Sequence, residues 1–307
     1  MKVYCIIVTY NAMQWVDRCF TSLRESKITL HPVVIDNCSS DKTISYIREK
    51  YPEVHIIENK KNKGFGQANN QGIEYAYQQD ATHFFLLNQD AWVHEDTIER
   101  LVSVMDKYKF AVVSPIQLNG QGALYDSSFC RAAVFNTNNV ELVTDLSFGT
   151  LKDYYKVLSV PAASWMISRE TINMIGGFDP LFFHYGEDSN YCQRLKYHNL
   201  TIAIIPKAYI NHDRLIKGNF ELFNKIDILR MLFLEYADIN HKPFFINKST
   251  LKLHYHIFMN LIKGLLTFNG KLIKNTWWTI SQFYSHISDI KKSRRGNVVK
   301  QSNWLNL

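Results

Sequence analysis

Short continuous apolar runs alternate along this chain with stretches whose apolar residues recur every three or four positions. Residues 3–8, 33–35, 54–57 and 83–87 are apolar runs of strand length, and each closes on polar residues. Between the first two, Trp15, Cys19, Phe20 and Leu23 fall at helical spacing and predict a helix ending near Glu25. Ser40 or Asp41 is suited to cap a second helix over 43–51, and Gly64-Phe65-Gly66 opens a third through Asn69, Asn70 and Ala76. A helix over 96–108 and a strand over 111–114 continue the alternation. Strands and helices taking turns with short connections predict an α/β fold with a mostly parallel sheet flanked by helices.

The pattern then loosens. Residues 119–155 mix Ser, Asn and Gly with short apolar pieces, which suits antiparallel strands or a loop over a site. Order returns with a buried strand over 160–168, a short helix over 169–175 stopped by Gly176-Gly177, an aromatic loop over 178–186, a helix over 187–198 and a strand over 201–205. Residues 208–213 lead into a helical C-terminal extension. The expected domains are therefore 1–215 and 216–307.

The run 83–87 shows best where chemistry should lie. It is apolar enough to be buried on both faces, then stops at Asn88, Gln89 and Asp90. Ligands of open α/β sheets sit beyond the carboxyl ends of the strands. Thr9-Tyr10, Asp36, Asn62 to Gly66 and Asn88 to Asp90 would therefore line one rim. Asp90 is a hard oxygen ligand suited to Mg²⁺ or Mn²⁺, although Asn88 to Asp90 also suit a turn and a helix cap. Gly64-Phe65-Gly66 lacks the third glycine and the lysine of a phosphate loop. The first strand is followed by Thr9-Tyr10-Asn11-Ala12, without the glycines of a dinucleotide fold.

Charge alters this picture only at the C-terminal end. The formal net charge is +7, and from Leu251 onward nine basic residues face the single acid Asp289. Aromatic and aliphatic residues beside these lysines suit an interfacial helix on anionic lipid, and a lid or dimer interface is the alternative. Nucleic-acid binding fits poorly, because no nucleic-acid fold motif accompanies the charge. Five scattered cysteines point to a reducing cytosol and against a disulfide framework or zinc site. The first residues have too short an apolar run for a signal peptide, and no uncharged apolar stretch reaches spanning length.

Several segments together resemble the inverting, GT-A-fold (Rossmann-like) glycosyltransferases of glycosyltransferase family 2, in particular their rhamnosyltransferase-like bacterial branch. They are IIVTYN from Ile6, VVIDNCSSDKT from Val33, NKGFGQANNQGI from Asn62, FLLNQDAWV from Phe85, GGFDPLFFHYGEDSNYCQR from Gly176 and INHD from Ile210. The resemblance covers roughly 1–214. It implies that Thr9, Tyr10 and Asp36 hold the nucleoside, and that Asn62, Lys63, Gly64, Phe65 and Asn69 run along the nucleotide. It implies that Asp90 and His212 ligate Mn²⁺ or Mg²⁺. The family's usual leading aspartate is Asn88 here, as in the rhamnosyltransferase-like branch, which removes one anionic ligand.

The acidic pair Glu187 and Asp188 matches the family's catalytic carboxylates, with Asp188 as base and Glu187 as its orienting neighbour. Acids in a helix's first turn are also ordinary capping. Phe178 and Asp179 would meet the acceptor, or brace the loop. His83 reads as structural and Trp165 as core; His184 and Tyr185 suit either the acceptor or packing.

The implied function is transfer of one sugar, rhamnose being one candidate, from a dTDP- or UDP-linked donor to a glycan or lipid-linked glycan acceptor in bacterial surface polysaccharide synthesis. The implied setting is cytoplasmic, with peripheral contact at the inner face of the cell membrane and an oligomer allowed. The alternatives are a nucleotide-sugar-binding protein of weak activity and a component of a processive synthase. The latter needs membrane spans and a processivity motif that the sequence does not show.

Overall fold

The structure, a computed structural model, describes residues 1–135, 139–214, 225–242 and 248–307. In chain order the first half comprises β1 (Val3–Thr9), α1 (Val16–Arg24), β2 (Leu30–Asp36), α2 (Thr43–Lys50), β3 (His55–Glu58), α3 (Phe65–Gln78), β4 (His83–Asn88), β5 (Ala91–Val93), α4 (Thr97–Tyr108) and β6 (Val112–Asn119). There follow α5 (Ser127–Phe129), a π-helical turn Cys130–Phe135, α6 (Val140–Phe148), β7 (Tyr155–Val157), β8 (Ser164–Ser168), α7 (Arg169–Ile175), α8 (Glu187–Tyr197) and β9 (Ile202–His212). Four helices complete the chain: α9 (Lys225–Ala237), α10 (Lys248–Leu266), α11 (Gly270–Ser285) and α12 (Ile287–Asn297).

The strands form one nine-stranded sheet in the order β3-β2-β1-β4-β8-β6-β9-β5, with β7 paired to β9. Strands β3, β2, β1 and β4 are parallel neighbours, as are β6 and β9. Strand β8 runs antiparallel between β4 and β6. Side chains alternate between two cores, as the period of two requires. Tyr4, Ile6, Val33, Ile35, Phe84 and Leu86 point into the core under α3, α7 and α8. Val3, Cys5, Ile7, Val34, Phe85 and Leu87 point into the core under α1, α2 and α4. Each large side chain so buried contributes about 1.5–3 kcal/mol, which confines the polar groups of β1 and β4 to their ends.

Several expectations need adjustment. The final strand runs on to His212, because after a register shift at Pro115/Ile116 it continues beside β6 and then takes β5 as its second neighbour. The short strand β5 was hidden in the turn after Asp90. The described residues between β6 and β7 form helices and turns, with β7 starting only at Tyr155, and the strand expected from 160 begins at Ser164. Here Pro161 interrupts the run, since proline has no N–H to give a ladder.

The chain divides into two compact units, Met1–Leu215 with Lys300–Leu307, and Ile216–Val299. The expected boundary at 215/216 lies outside the described residues. The second unit contains α9 to α12, with α10 and α11 packed together and both against α9. No helix among the described residues is long and apolar enough to cross a membrane.

Residues 300–307 form a strap on the first unit. The Gly177 N–H donates to the Asn303 carbonyl at 2.9 Å, the Asn70 side-chain amide to the Trp304 carbonyl at 3.2 Å, and the Asn306 N–H to Glu74 at 2.8 Å. Gly176 ends α7 at φ +71°, and a Cβ there would lie 1.9 Å from the Asn303 carbonyl oxygen. Gly176→Ala combines left-handed strain with an overpacked contact, each of order 1–3 kcal/mol. It should lower stability by roughly 2–4 kcal/mol, read from the urea midpoint at unchanged slope; a loss below about 1 kcal/mol would show that the strap yields freely.

Candidate active site

Polar residues from five strand ends gather at one edge of the sheet, over a cleft of about 620 Å³. At the end of β1, Thr9 is buried and its hydroxyl donates to Asp36 at 2.9 Å. Asp36 also takes the Ser39 hydroxyl at 2.5 Å and the Ser39 N–H at 2.9 Å, so it ties the β2 turn to β1. Tyr10 stands half exposed on the cleft rim. Its N–H donates to Gln89 Oε1 at 2.7 Å, and Gln89 Nε2 returns a bond to its carbonyl at 3.3 Å.

The loop before α3 is fixed by Asn37. Its side-chain amide donates to the Gly64 carbonyl at 3.1 Å and accepts from the Lys63 N–H at 3.3 Å. Asn62 accepts from the Gly64 N–H at 2.8 Å. Gly64 has φ +80°, and a Cβ there would lie 1.9 Å from the Phe183 carbonyl oxygen. Only glycine lets the loop 178–186 pass this close.

Also in the lining, the Asp90 carboxylate lies 3.3 Å from His212 Nε2, with the Asn88 amide nitrogen 3.4 Å from the same ring nitrogen. The Asn88 amide oxygen is buried without a hydrogen-bond partner among the described residues. A carboxylate, an imidazole and an orphaned amide oxygen make a donor set that fits a divalent cation of the Mn²⁺ kind. Among the described residues, no group of three or more His, Cys, Asp or Glu side chains is arranged to hold a metal ion by itself. A cation here would thus take its remaining ligands from a bound diphosphate or water.

Glu187 and Asp188 open α8 and line the same cleft. Glu187 is buried, and Asp188 is partly exposed toward the cleft. Desolvation raises the Asp188 carboxyl above the usual carboxylate range, against the opposing pull of the Ser189 N–H, which donates to it at 2.7 Å. The bases of α3 and α8 are close, since a Cβ on Gly66 would sit 3.5 Å from that of Glu187.

The cleft lining therefore includes Tyr10, Asn62, Gly64, Phe65, Asn88, Asp90, Glu187, Asp188 and His212. It does not include Thr9, Asp36, Lys63 or Asn69; Asn69 turns its amide back onto the Phe65 carbonyl at 3.0 Å. Phe178 and Asp179 are also buried and outside the cleft lining. Phe178 packs on Trp165 and Tyr191, its backbone held at both ends by Asn70, and Asp179 accepts from the Leu181 N–H at 3.0 Å. Trp165 is core, and His83 is bound to Thr82 and Asp106 at the far end of β4. Phe183, His184 and Tyr185 do reach the cleft, with Phe183 and Tyr185 more than half exposed. Sequence reasoning did not single out Asn37, Asp126 or Arg214. Asn37 sits beside the expected Asp36, and Arg214 follows the INHD segment directly.

A mostly parallel sheet of this order flanked by helices, with a cleft at its strand ends, is the GT-A architecture of glycosyltransferases. The model of "Glycosyl transferase family 2" matches residues 4–174, more than half of the chain, and the chain belongs to this family. It is 23% identical over 215 residues to the dTDP-rhamnosyl transferase RfbF of Shigella flexneri, covering 69% of each chain. It is 26% identical to the low-salt glycan biosynthesis hexosyltransferase of Haloferax volcanii, covering 56% of this chain and about half, 55%, of that one. Among solved structures it is similar to GalNAc-T7 with UDP, GalNAc and Mn²⁺, at a TM-score of 0.62 and 14% identity, covering 99% of this chain and 55% of that one. It is likewise similar to Staphylococcus aureus TarS with UDP, at a TM-score of 0.57 and 14% identity, covering 97% and 88%.

Asp188 permits a test of the acidic pair. A carboxyl whose folded pKa lies above its unfolded value contributes stability that is fully present below the unfolded pKa and lost as pH rises through the folded one. Asp188→Asn removes this loss while keeping an oxygen for the Ser189 N–H. Its melting temperature should equal or exceed wild type at pH 7, with any gap closing as pH falls through the carboxylate range. A variant clearly less stable at pH 7 would contradict the assigned burial.

Proposed function

We propose that this glycosyltransferase moves one sugar, with inversion, from a dTDP- or UDP-linked donor to a hydroxyl of a glycan or lipid-linked glycan. Rhamnose is the sugar favoured by the similarity to a rhamnosyl transferase. The observation that carries the reading is that Asp188 and the Asp90–His212 pair line the same cleft.

In this reading Tyr10 offers a ring face to the base, and the Asn37-tethered loop 62–65 borders the nucleotide. Asp188, kept basic by partial desolvation, takes the proton from the acceptor hydroxyl. As that oxygen bonds to the anomeric carbon, the bond from this carbon to the donor's diphosphate breaks, and the diphosphate leaves with the electron pair. Asp90, His212 and Asn88 would hold a divalent cation, whose charge when bound offsets that of the leaving diphosphate. Arg214, which lines the cleft, adds a fixed positive charge on the same side. Glu187 shapes the start of α8 beside Asp188.

Nucleoside diphosphates should stabilise the folded protein, since a ligand that binds only that state raises its melting temperature. In a panel of dTDP, UDP, GDP and CDP, a shift is expected for dTDP or UDP, larger with Mn²⁺. Asp188→Asn should keep that shift and lose turnover by about 10²–10⁴-fold. Absence of any nucleotide shift in folded protein would reject the reading.

The second unit suits the implied lipid-linked acceptor. Leu251, Tyr255, Phe258 and Leu266 on α10 and Trp277 and Tyr284 on α11 are each more than half exposed, among Lys252, Lys263, Lys271 and Lys274. Apolar side chains among cations on helices suit the interface of an anionic bilayer. Co-sedimentation with phosphatidylglycerol vesicles should exceed that with phosphatidylcholine vesicles and fall with added salt. The double variant Tyr255→Ser, Phe258→Ser should lose most of it; equal sedimentation with both lipids would assign this surface elsewhere.

A further inference from the structure

One buried carboxylate serves both His212 and Arg214. Asp126 lies between β6 and α5 and is 5% exposed. Its two oxygens have separate tasks. Oδ1 accepts from the N–H groups of Ser128 and Phe129, both at 2.9 Å, as the cap of the short helix α5. Oδ2 takes no part in the cap. It faces His212 Nδ1 at 3.7 Å and Arg214 Nε at 3.5 Å.

A cap alone gives no reason for this charge, because serine or asparagine caps a helix as well as aspartate does. The imidazole supplies the reason. His212 Nε2 faces Asp90 and Asn88, whereas Nδ1 is buried without a hydrogen-bond partner among the described residues. For Nε2 to offer its lone pair, the ring proton must reside on Nδ1, and Asp126 Oδ2 is the carboxylate that faces it. The same oxygen draws Arg214, which lines the cleft, toward His212.

We infer that Asp126 is a positioning residue: it sets the tautomer of His212 that presents Nε2 to a cation, and it anchors Arg214 beside it. Carboxylates behind ligating histidines act in this way, and removing them weakens metal binding by about 10–100-fold. The inference rests on the cation-assisted reading proposed above.

Mn²⁺ binding distinguishes the two without turnover. The full chain is titrated with Mn²⁺ in the presence of UDP or dTDP, with free Mn²⁺ followed by electron paramagnetic resonance. Metal-free melting temperature is measured in parallel. Asp126→Asn and Asp126→Ser keep a capping oxygen and lose the carboxylate. Both are expected to melt with wild type when metal-free and to bind Mn²⁺ about 10–100-fold more weakly. Mn²⁺ affinity within threefold of wild type in a variant of unchanged melting temperature overturns the inference and leaves the cation site standing. A wild-type protein that binds nucleotide but not Mn²⁺ overturns both. If Asp126→Asn melts early, Asp126→Ser decides, and early melting of both overturns the positioning role in favour of a structural one.

Discussion

The whole molecule depends on the burial of β1, β2 and β4 on both faces. Their side chains fill two cores, and most are buried from water; the first three residues of β2 are partly exposed. Polar groups are costly in such strands unless every one is hydrogen-bonded. They are therefore pushed to the strand ends, where Thr9, Asp36 and Asn88 interrupt the apolar runs. Parallel alignment brings these interruptions to the same edge: Thr9 pairs in register with Asp36, and Val8 with Asn88. The cleft is thus a consequence of the packing.

What turns that edge into a site is the anchoring of loops by backbone contact. Asn37 ties the loop before α3 to β2, and Gly64 lets the Phe183 segment pass across it. Asn70 grips the Phe178 backbone from both ends while also holding Trp304. Arg194, buried on α8, donates to the carbonyls of Gly177 and Ile175. The turn that precedes the acidic pair is therefore held by α3, by α8 and by the strap 300–307. Such fixation matters because a displaced catalytic group loses rate steeply with small errors of position.

The strands and most helices of the first unit were legible because their signals are local: periods of two and 3.6, and polar stops. The direction of β8 was not, since a run buried on both faces reads alike in either orientation. Strand β5, three residues long, falls below any useful window. The lining of the candidate cleft was legible where a motif holds neighbours together, as with Glu187-Asp188 or Asn88 to Asp90. It was hidden where contacts span the chain. Asp126 meets His212 only through the paired course of β6 and β9, and residues 300–307 return to Gly177 across the length of the second unit. The buried positions of Phe178 and Asp179 had no sequence signal to separate them from a cleft surface.

The charge of the cleft sets the terms for its ligand. Asp90, Glu187 and Asp188 line it against Arg214 and His212. On the proposed reading, a diphosphate in this space meets three carboxylates, those of Asp90, Glu187 and Asp188. Near a protein surface, like charges 4 Å apart repel by about 4 kcal/mol, so a diphosphate beside Asp90 needs a compensating cation there. An aspartate at position 88 would strengthen the hold on such a cation while adding to the repulsion of the diphosphate. Asn88 removes that repulsion and keeps an oxygen donor, and its amide oxygen has no partner among the described residues. On the proposed reading, asparagine at position 88 would trade affinity for free cation against tolerance of the anionic ligand. That trade suits a site assembled from protein and nucleotide together rather than one filled beforehand.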